Sequence, residues 1–93
     1  LLSNVIQVFL ESNQLESGKK YIDIMYDHLQ GSRYLYEKIK CDFLLGCYHY
    51  LAGNHDEGFK QAQQAVNLMK VLGLEKEAVA HKQYVNELVN ATK

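Results

Sequence analysis

Residues 38–69 read KIKCDFLLGCYHYLAGNHDEGFKQAQQAVNLM, and this stretch decides the fold. Apolar residues recur every three to four positions on both sides of a Gly53-Asn54 break, the spacing of two amphipathic helices joined by a tight turn. Small residues stand where the two backbones have to meet: Gly46 on the first helix, and Gly58, Ala62 and Ala65 on the second. The expectation is a helical hairpin with close backbone contact.

The same reading extends outward. Leu2, Val5, Ile6, Phe9 and Leu10 predict a helix over 1–12, with a break at Asn13-Gln14. Leu15, Tyr21, Ile22, Met25 and Leu29 predict a second over 15–29, in which Gly18 marks a place where another helix packs. Gln30-Gly31-Ser32 ends it, Gly as the residue past the helix end and Ser as the cap of the next. The longest helix is expected over 33–52, beginning with Tyr34 and Leu35. Asn54 is expected to cap the following helix, 55–72, with Asp56 and Glu57 complementing the positive end of its dipole. Gly73 stops that helix, and a last one runs over 75–91. Five helices with short connections make antiparallel neighbours, an all-α fold.

Composition narrows the function. The chain has 93 residues, which predicts one domain over 1–93. It opens Leu1-Leu2, without Met and inside an apolar-periodic segment, so the expectation is a fragment whose native protein continues upstream. Ten basic and 11 acidic residues leave a formal net charge of −1, which gives no global attraction to nucleic acid or acidic lipid. No apolar run approaches the roughly 18 residues of a membrane span. Cys41 and Cys47 are about 600° of helical rotation apart, match no zinc spacing, and read as reduced thiols of a cytoplasmic protein. His28, His49, His55 and His81 form no metal-ligand pattern, and no nucleophile–base pair, phosphate loop or carboxylate cluster sits on an apolar face. No enzyme activity, metal or cofactor is expected. Lys19-Lys20, Arg33, Lys38 and Lys40 are offset by Glu16, Asp23, Asp27 and Glu37 and read as a solvated face.

Sliding the chain by 40 residues lays helix on helix: Gly18 falls on Gly58, Lys20 on Lys60, and Asn13 on the Gly53 turn. Units of this kind stack because none buries its apolar face alone. Leu45-Gly46, Gly53, Gly58 and Ala65 resemble a tetratricopeptide pattern, although Asp42 stands where that pattern has an aromatic residue and the period is 40. The resemblance implies an antiparallel helical-hairpin array wound as a right-handed superhelix, the first, third and fifth helices lining its concave face.

A narrower resemblance covers Glu37 to Leu88. The run FLLGCYHYLAGNHDEGFKQAQQAVNLMKVLGLEKEAVAHKQYVNEL is similar to the C-terminal region of the Rgg/GadR/MutR family of bacterial transcriptional regulators. The similarity lies in Gly46-Cys47-Tyr48-His49-Tyr50-Leu51-Ala52-Gly53, in the Glu57-Gly58 opening of the next helix, in Leu72-Gly73 at its end, and in the Tyr84 helix. It implies a quorum-sensing receptor for a peptide pheromone: a helical-repeat domain that binds a short peptide and forms a homodimer. DNA is then a partner only through an N-terminal helix-turn-helix domain outside this chain.

The expected peptide-binding residues on the concave face are Asn4 and Gln7 from the first helix, Lys40, Phe43, Cys47 and Tyr50 from the third, and Gln83 and Asn86 from the fifth. Carboxamides both donate to and accept from an extended backbone, and aromatic rings form side-chain pockets. Ser3, Glu11 and Glu87 share the same inward stripes. Ordinary solvated helix surface is the competing reading of these positions, and a general tetratricopeptide-like scaffold for a protein partner is the competing function.

Overall fold

The computed structural model describes residues 2–31 and 35–92. Within them the chain forms five helices and no strand: α1 (Leu2–Glu11), α2 (Leu15–Leu29), α3 (Leu35–Leu51), α4 (His55–Val71) and α5 (Glu75–Ala91). These agree with the predicted helices to within a few residues at each end. Ser32, expected as a cap, and Arg33 and Tyr34, expected at the start of the third helix, lie outside the described residues, as do Leu1 and Lys93.

Three of the four connections are one structure repeated. α1, α3 and α4 each end with a residue of positive φ: Asn13 at 60°, Gly53 at 107° and Gly73 at 80°. At each end the next amide donates five residues back: Gln14 to the Phe9 carbonyl at 2.8 Å, Asn54 to His49 at 2.9 Å and Leu74 to Met69 at 2.9 Å. The positive-φ residue donates three back, Asn13 to Leu10, Gly53 to Tyr50 and Gly73 to Lys70. This is the Schellman arrangement, which satisfies helix-end carbonyls and turns the chain at once. Glycine adopts the left-handed conformation without strain, and Asn is among the few other residues that tolerate it. The expected Asn54 side-chain cap does not form: its φ of −89° and ψ of 65° are not those of a capping residue, and its side chain makes no capping hydrogen bond.

Each helix packs on the next in sequence, and α3 also packs on α1. α3 is therefore buried almost all round, through Ile39, Cys41, Phe43, Leu44, Gly46 and Cys47. Around it one core gathers Ile6 and Leu10 from α1, Ile22 and Met25 from α2, Val66 and Met69 from α4, and Ala78 and Val85 from α5. The radius of gyration, 12.3 Å, matches the ~12 Å of a compact chain of this length, so the helices close on that core instead of extending as a rod.

The closest approach is between α3 and α4. A Cβ built on Gly46 would stand 2.6 Å from the Ala62 backbone nitrogen and 2.9 Å from the Gly58 carbonyl oxygen. A Cβ on Gly58 would run into the Tyr50 backbone and stand 2.6 Å from the Gly46 carbonyl oxygen. Gly18 has a softer neighbour, the end of the Leu10 side chain at 3.0 Å. Backbone cannot yield as a leucine can, so the three glycines differ in what a methyl group costs. Gly46→Ala and Gly58→Ala should each destabilise the fold by about 3 kcal/mol or more, and Gly18→Ala by about 1 kcal/mol or less. Urea denaturation of the three variants checks this ranking, and equal midpoints would contradict it.

Candidate functional site

α1, α3 and α5 run in the same direction because an antiparallel helix separates each from the next, and their C-terminal ends meet. Leu10, Glu11 and Asn13 from α1 and its turn, Leu51 from α3, and Tyr84, Glu87, Leu88, Ala91 and Thr92 along α5 line a cleft of about 340 Å3. That volume is in the range of small-ligand pockets, and the lining combines an apolar floor with a few polar groups.

The Tyr84 hydroxyl is the one buried side-chain polar atom without a hydrogen-bond partner among the described residues. Burial raises its pKa, and the nearby Cys47 and Glu11 add to the effect, so the group is a neutral phenol. The far end of the cleft is tied by Thr92. Its Oγ1 donates to the Leu88 carbonyl at 3.1 Å and lies 2.8 Å from the Tyr50 hydroxyl, which is then the donor between them. The Tyr50 ring stacks on His55 with centroids 4.7 Å apart.

Nearer the start of α5, the covering contact is aromatic. His81 meets the Phe43 ring edge-on at 4.7 Å and the Tyr36 ring at 6.3 Å. Its Nδ1 lies 2.6 Å from the Glu77 carbonyl oxygen, so the proton resides on Nδ1. Burial lowers its pKa, with Lys40 adding to the effect and the Glu77 carbonyl and carboxylate opposing it. Phe43 also packs on Tyr84 at 5.9 Å.

The eight expected groove residues separate into two groups. Phe43, 0 % exposed, and Cys47, 1 % exposed, are core residues and present no surface. The reason is α5, which lies over that side of α3 through Tyr84, His81 and Val85. Lys40 is half-buried with its ammonium 5.9 Å from the centre of the Tyr36 ring. Tyr50 is held by Thr92. Asn4, Gln83 and Asn86 are exposed and Gln7 is half-buried. None of the eight lines the cleft, whereas Glu11 and Glu87, on the same inward stripes, do. Leu51, Leu88 and Thr92 carried no sequence signal beyond helical periodicity.

Both cysteines are free and buried. Burial pushes Cys41 up to about 11 and Cys47 up to about 12, so both stay as unreactive thiols at neutral pH. No group of three metal-ligating side chains occurs among the described residues. Among the described residues no helix is long and apolar enough to cross a membrane.

Residues 1–83 match the family model described as HTH-type transcriptional regulator Rgg, C-terminal domain. No curated protein and no solved structure matches the chain.

Tyr84→Phe removes an unsatisfied buried hydroxyl and keeps the ring, so it should leave the fold as stable or raise stability by about 1–3 kcal/mol. Loss of stability by denaturant titration would mean that the hydroxyl is bonded. His81 gives a pH dependence of defined sign. Its folded pKa lies below the unfolded value of about 6.5, so folding favours the neutral ring. The stability it contributes is present above that value and lost as pH falls through it. The melting temperature should fall between pH 7.5 and 5.5, and fall less in His81→Gln. Equal slopes in the two proteins would remove His81 from this role.

Proposed function

The chain belongs to the family of C-terminal domains of the HTH-type transcriptional regulator Rgg, and on that premise we propose that it is the ligand-sensing and dimerisation domain of a bacterial transcriptional regulator. The five helices act as a tetratricopeptide-like array, and a short signalling peptide binds the face formed by α1, α3 and α5. The observation that carries this reading is the cleft of about 340 Å3 where those three helices end. Asn4 and Gln7 lie on the stripe of α1 that leads to Glu11, and Gln83 donates to Glu87 at 3.5 Å, with Asn86 beside it. These carboxamides stand ready to hold a peptide backbone leading into the cleft.

Sensing then works by population shift. A peptide alters the arrangement of α5 against α1 and α3, or of one protomer against another, only as far as it binds one arrangement better. DNA contact falls to a helix-turn-helix domain outside this chain, in keeping with a net charge of −1 here, and the regulator works in the cytoplasm. For dimerisation, the support is the exposure of apolar side chains at the end of α4 and the start of α5: Val71 is 80 % exposed, Val79 64 %, Leu68 44 % and Leu72 43 %.

Two measurements test this. Short extended peptides titrated against the intact regulator should include at least one that changes its operator affinity about fivefold or more, the lower end of ordinary allosteric coupling. If none does, the domain is a protein-interaction scaffold. Light scattering should give a dimer, and Val71→Glu with Val79→Glu should shift it to monomer. A wild-type monomer at high concentration would refute the dimer.

A further inference from the structure

We infer that the second half of α5, residues 84–91, is a strap over α3. It peels away while α1–α4 stay folded, and the Tyr50–Thr92 hydrogen bond is the clasp that holds it shut. As a sensing device this rests on the face of α1, α3 and α5 being the peptide site; as a movement it is tested without any peptide.

The two halves of α5 are docked unequally. In the first half His81 is wedged against the Phe43 and Tyr36 rings. Lys82 donates to the Gln63 side chain of α4 at 2.6 Å, with its ammonium 5.3 Å from the centre of the Phe59 ring. In the second half Val85 is the one buried residue, and Leu88 and Val89 are half-buried. Over its 17 residues α5 buries only Ala78 and Val85, against six residues in α3 and five in α4, helices of the same length.

The second half also lies between two spaces. On one side is the cleft of about 340 Å3. On the other is an apolar gap of about 10 Å3, lined among others by Cys47, Phe59, Ala62, Val85, Leu88 and Val89. Side chains that face a space forfeit the dispersion contacts of a filled interface. Leu88 lines both spaces and is the partition between them. The Tyr84 hydroxyl, buried without a partner, gains water when the strap lifts, so its burial weighs against the closed state. Among the described residues, the 2.8 Å bond between Tyr50 and Thr92 is the one side-chain hydrogen bond from this half of α5 or its cap to another helix. Local opening runs through segments with few buried apolar contacts, and this is such a segment. Lifting Leu88 joins the gap to the cleft and uncovers the Cys47 thiol, so the cleft deepens to the floor of α3.

The test is thiol labelling of the full chain under native conditions, with the labelled cysteine located by mass spectrometry. Urea unfolding of each protein gives the rate that global unfolding alone would allow. Cys47 should label at least about tenfold faster than that rate and with weak dependence on urea. Tyr50→Phe removes the clasp and keeps the ring, and should speed Cys47 labelling about threefold to tenfold. Tyr84→Phe should slow it by about fivefold or more. Cys41 donates to the Ile22 carbonyl between α2 and α3, away from α5. Its rate, taken relative to global unfolding, should be the same in all three proteins. If Cys47 labels no faster than global unfolding allows, the strap does not open and the inference is overturned, while the peptide site stands on a closed α5. It is overturned equally if Tyr50→Phe leaves the Cys47 rate unchanged, or speeds Cys41 as much. If the strap opens and no peptide alters operator affinity, the movement stands and the sensing reading falls.

Discussion

Gly46 and Gly58 let the backbones of α3 and α4 touch, and the positions of the other helices follow from that contact. Where a Cβ on one helix would stand 2.6 Å from backbone of the other, no side chain separates them. The hairpin is therefore a thin, dense slab, closed further along by Ala62 and Ala65. Against this slab α5 packs differently. It meets α3 through Phe43, His81 and Tyr84, and through the Tyr50–Thr92 hydrogen bond. Large rings hold two helices apart where glycines draw them together. The aromatic spacing between α3 and α5 is what leaves room for a cleft at their far end, so the cavity is a consequence of how differently α3 treats its two neighbours.

The turns carry the second constraint. Asn13, Gly53 and Gly73 close the same hydrogen-bonded corner three times, and the residue that completes each corner begins the following helix. Gly18, Gly58 and Ala78 then occupy equivalent places one turn into α2, α4 and α5, and each amide donates to the residue that completed the corner. A small residue is needed at each because a helix entering so tightly passes close to the one it has just left. The offset of 40 residues recognised in the sequence lays one corner and its small partner, Asn13 with Gly18, on another, Gly53 with Gly58, while the third, Gly73 with Ala78, follows after 20, so the corner marks a helix-to-helix return and made those helix boundaries legible without a structure.

What the sequence could not supply was the enclosure of α3. An amphipathic pattern assigns an apolar and a polar face, but a central helix is buried on several sides, and its periodicity does not say which neighbour covers which residue. Phe43 and Cys47 belong to the side that α5 closes. Nothing in their spacing distinguishes them from groove residues, because coverage depends on the tilt of a helix some 40 residues away in the chain. Glu11 and Glu87 were legible as inward-facing, yet their meeting at one cleft depends on three helix ends coinciding. Tyr84 counted as one more apolar position, since periodicity carries no information about whether a hydroxyl finds a partner.

The charge pattern is where local rules and the observed sequence disagree. Helices α2, α3 and α4 end as the helix dipole favours, with His28, His49 and Lys70 in their last turns. α1 and α5 do not, and α1 closes on Glu11. The Tyr84 hydroxyl, buried without a partner between Cys47 and Glu11, breaks a second rule in the same place. A sequence that observes turn chemistry and small-residue packing elsewhere, and departs from dipole compensation and polar satisfaction around one cleft, concentrates its local cost there. Such departures are expected at functional sites, where a ligand supplies the missing interaction.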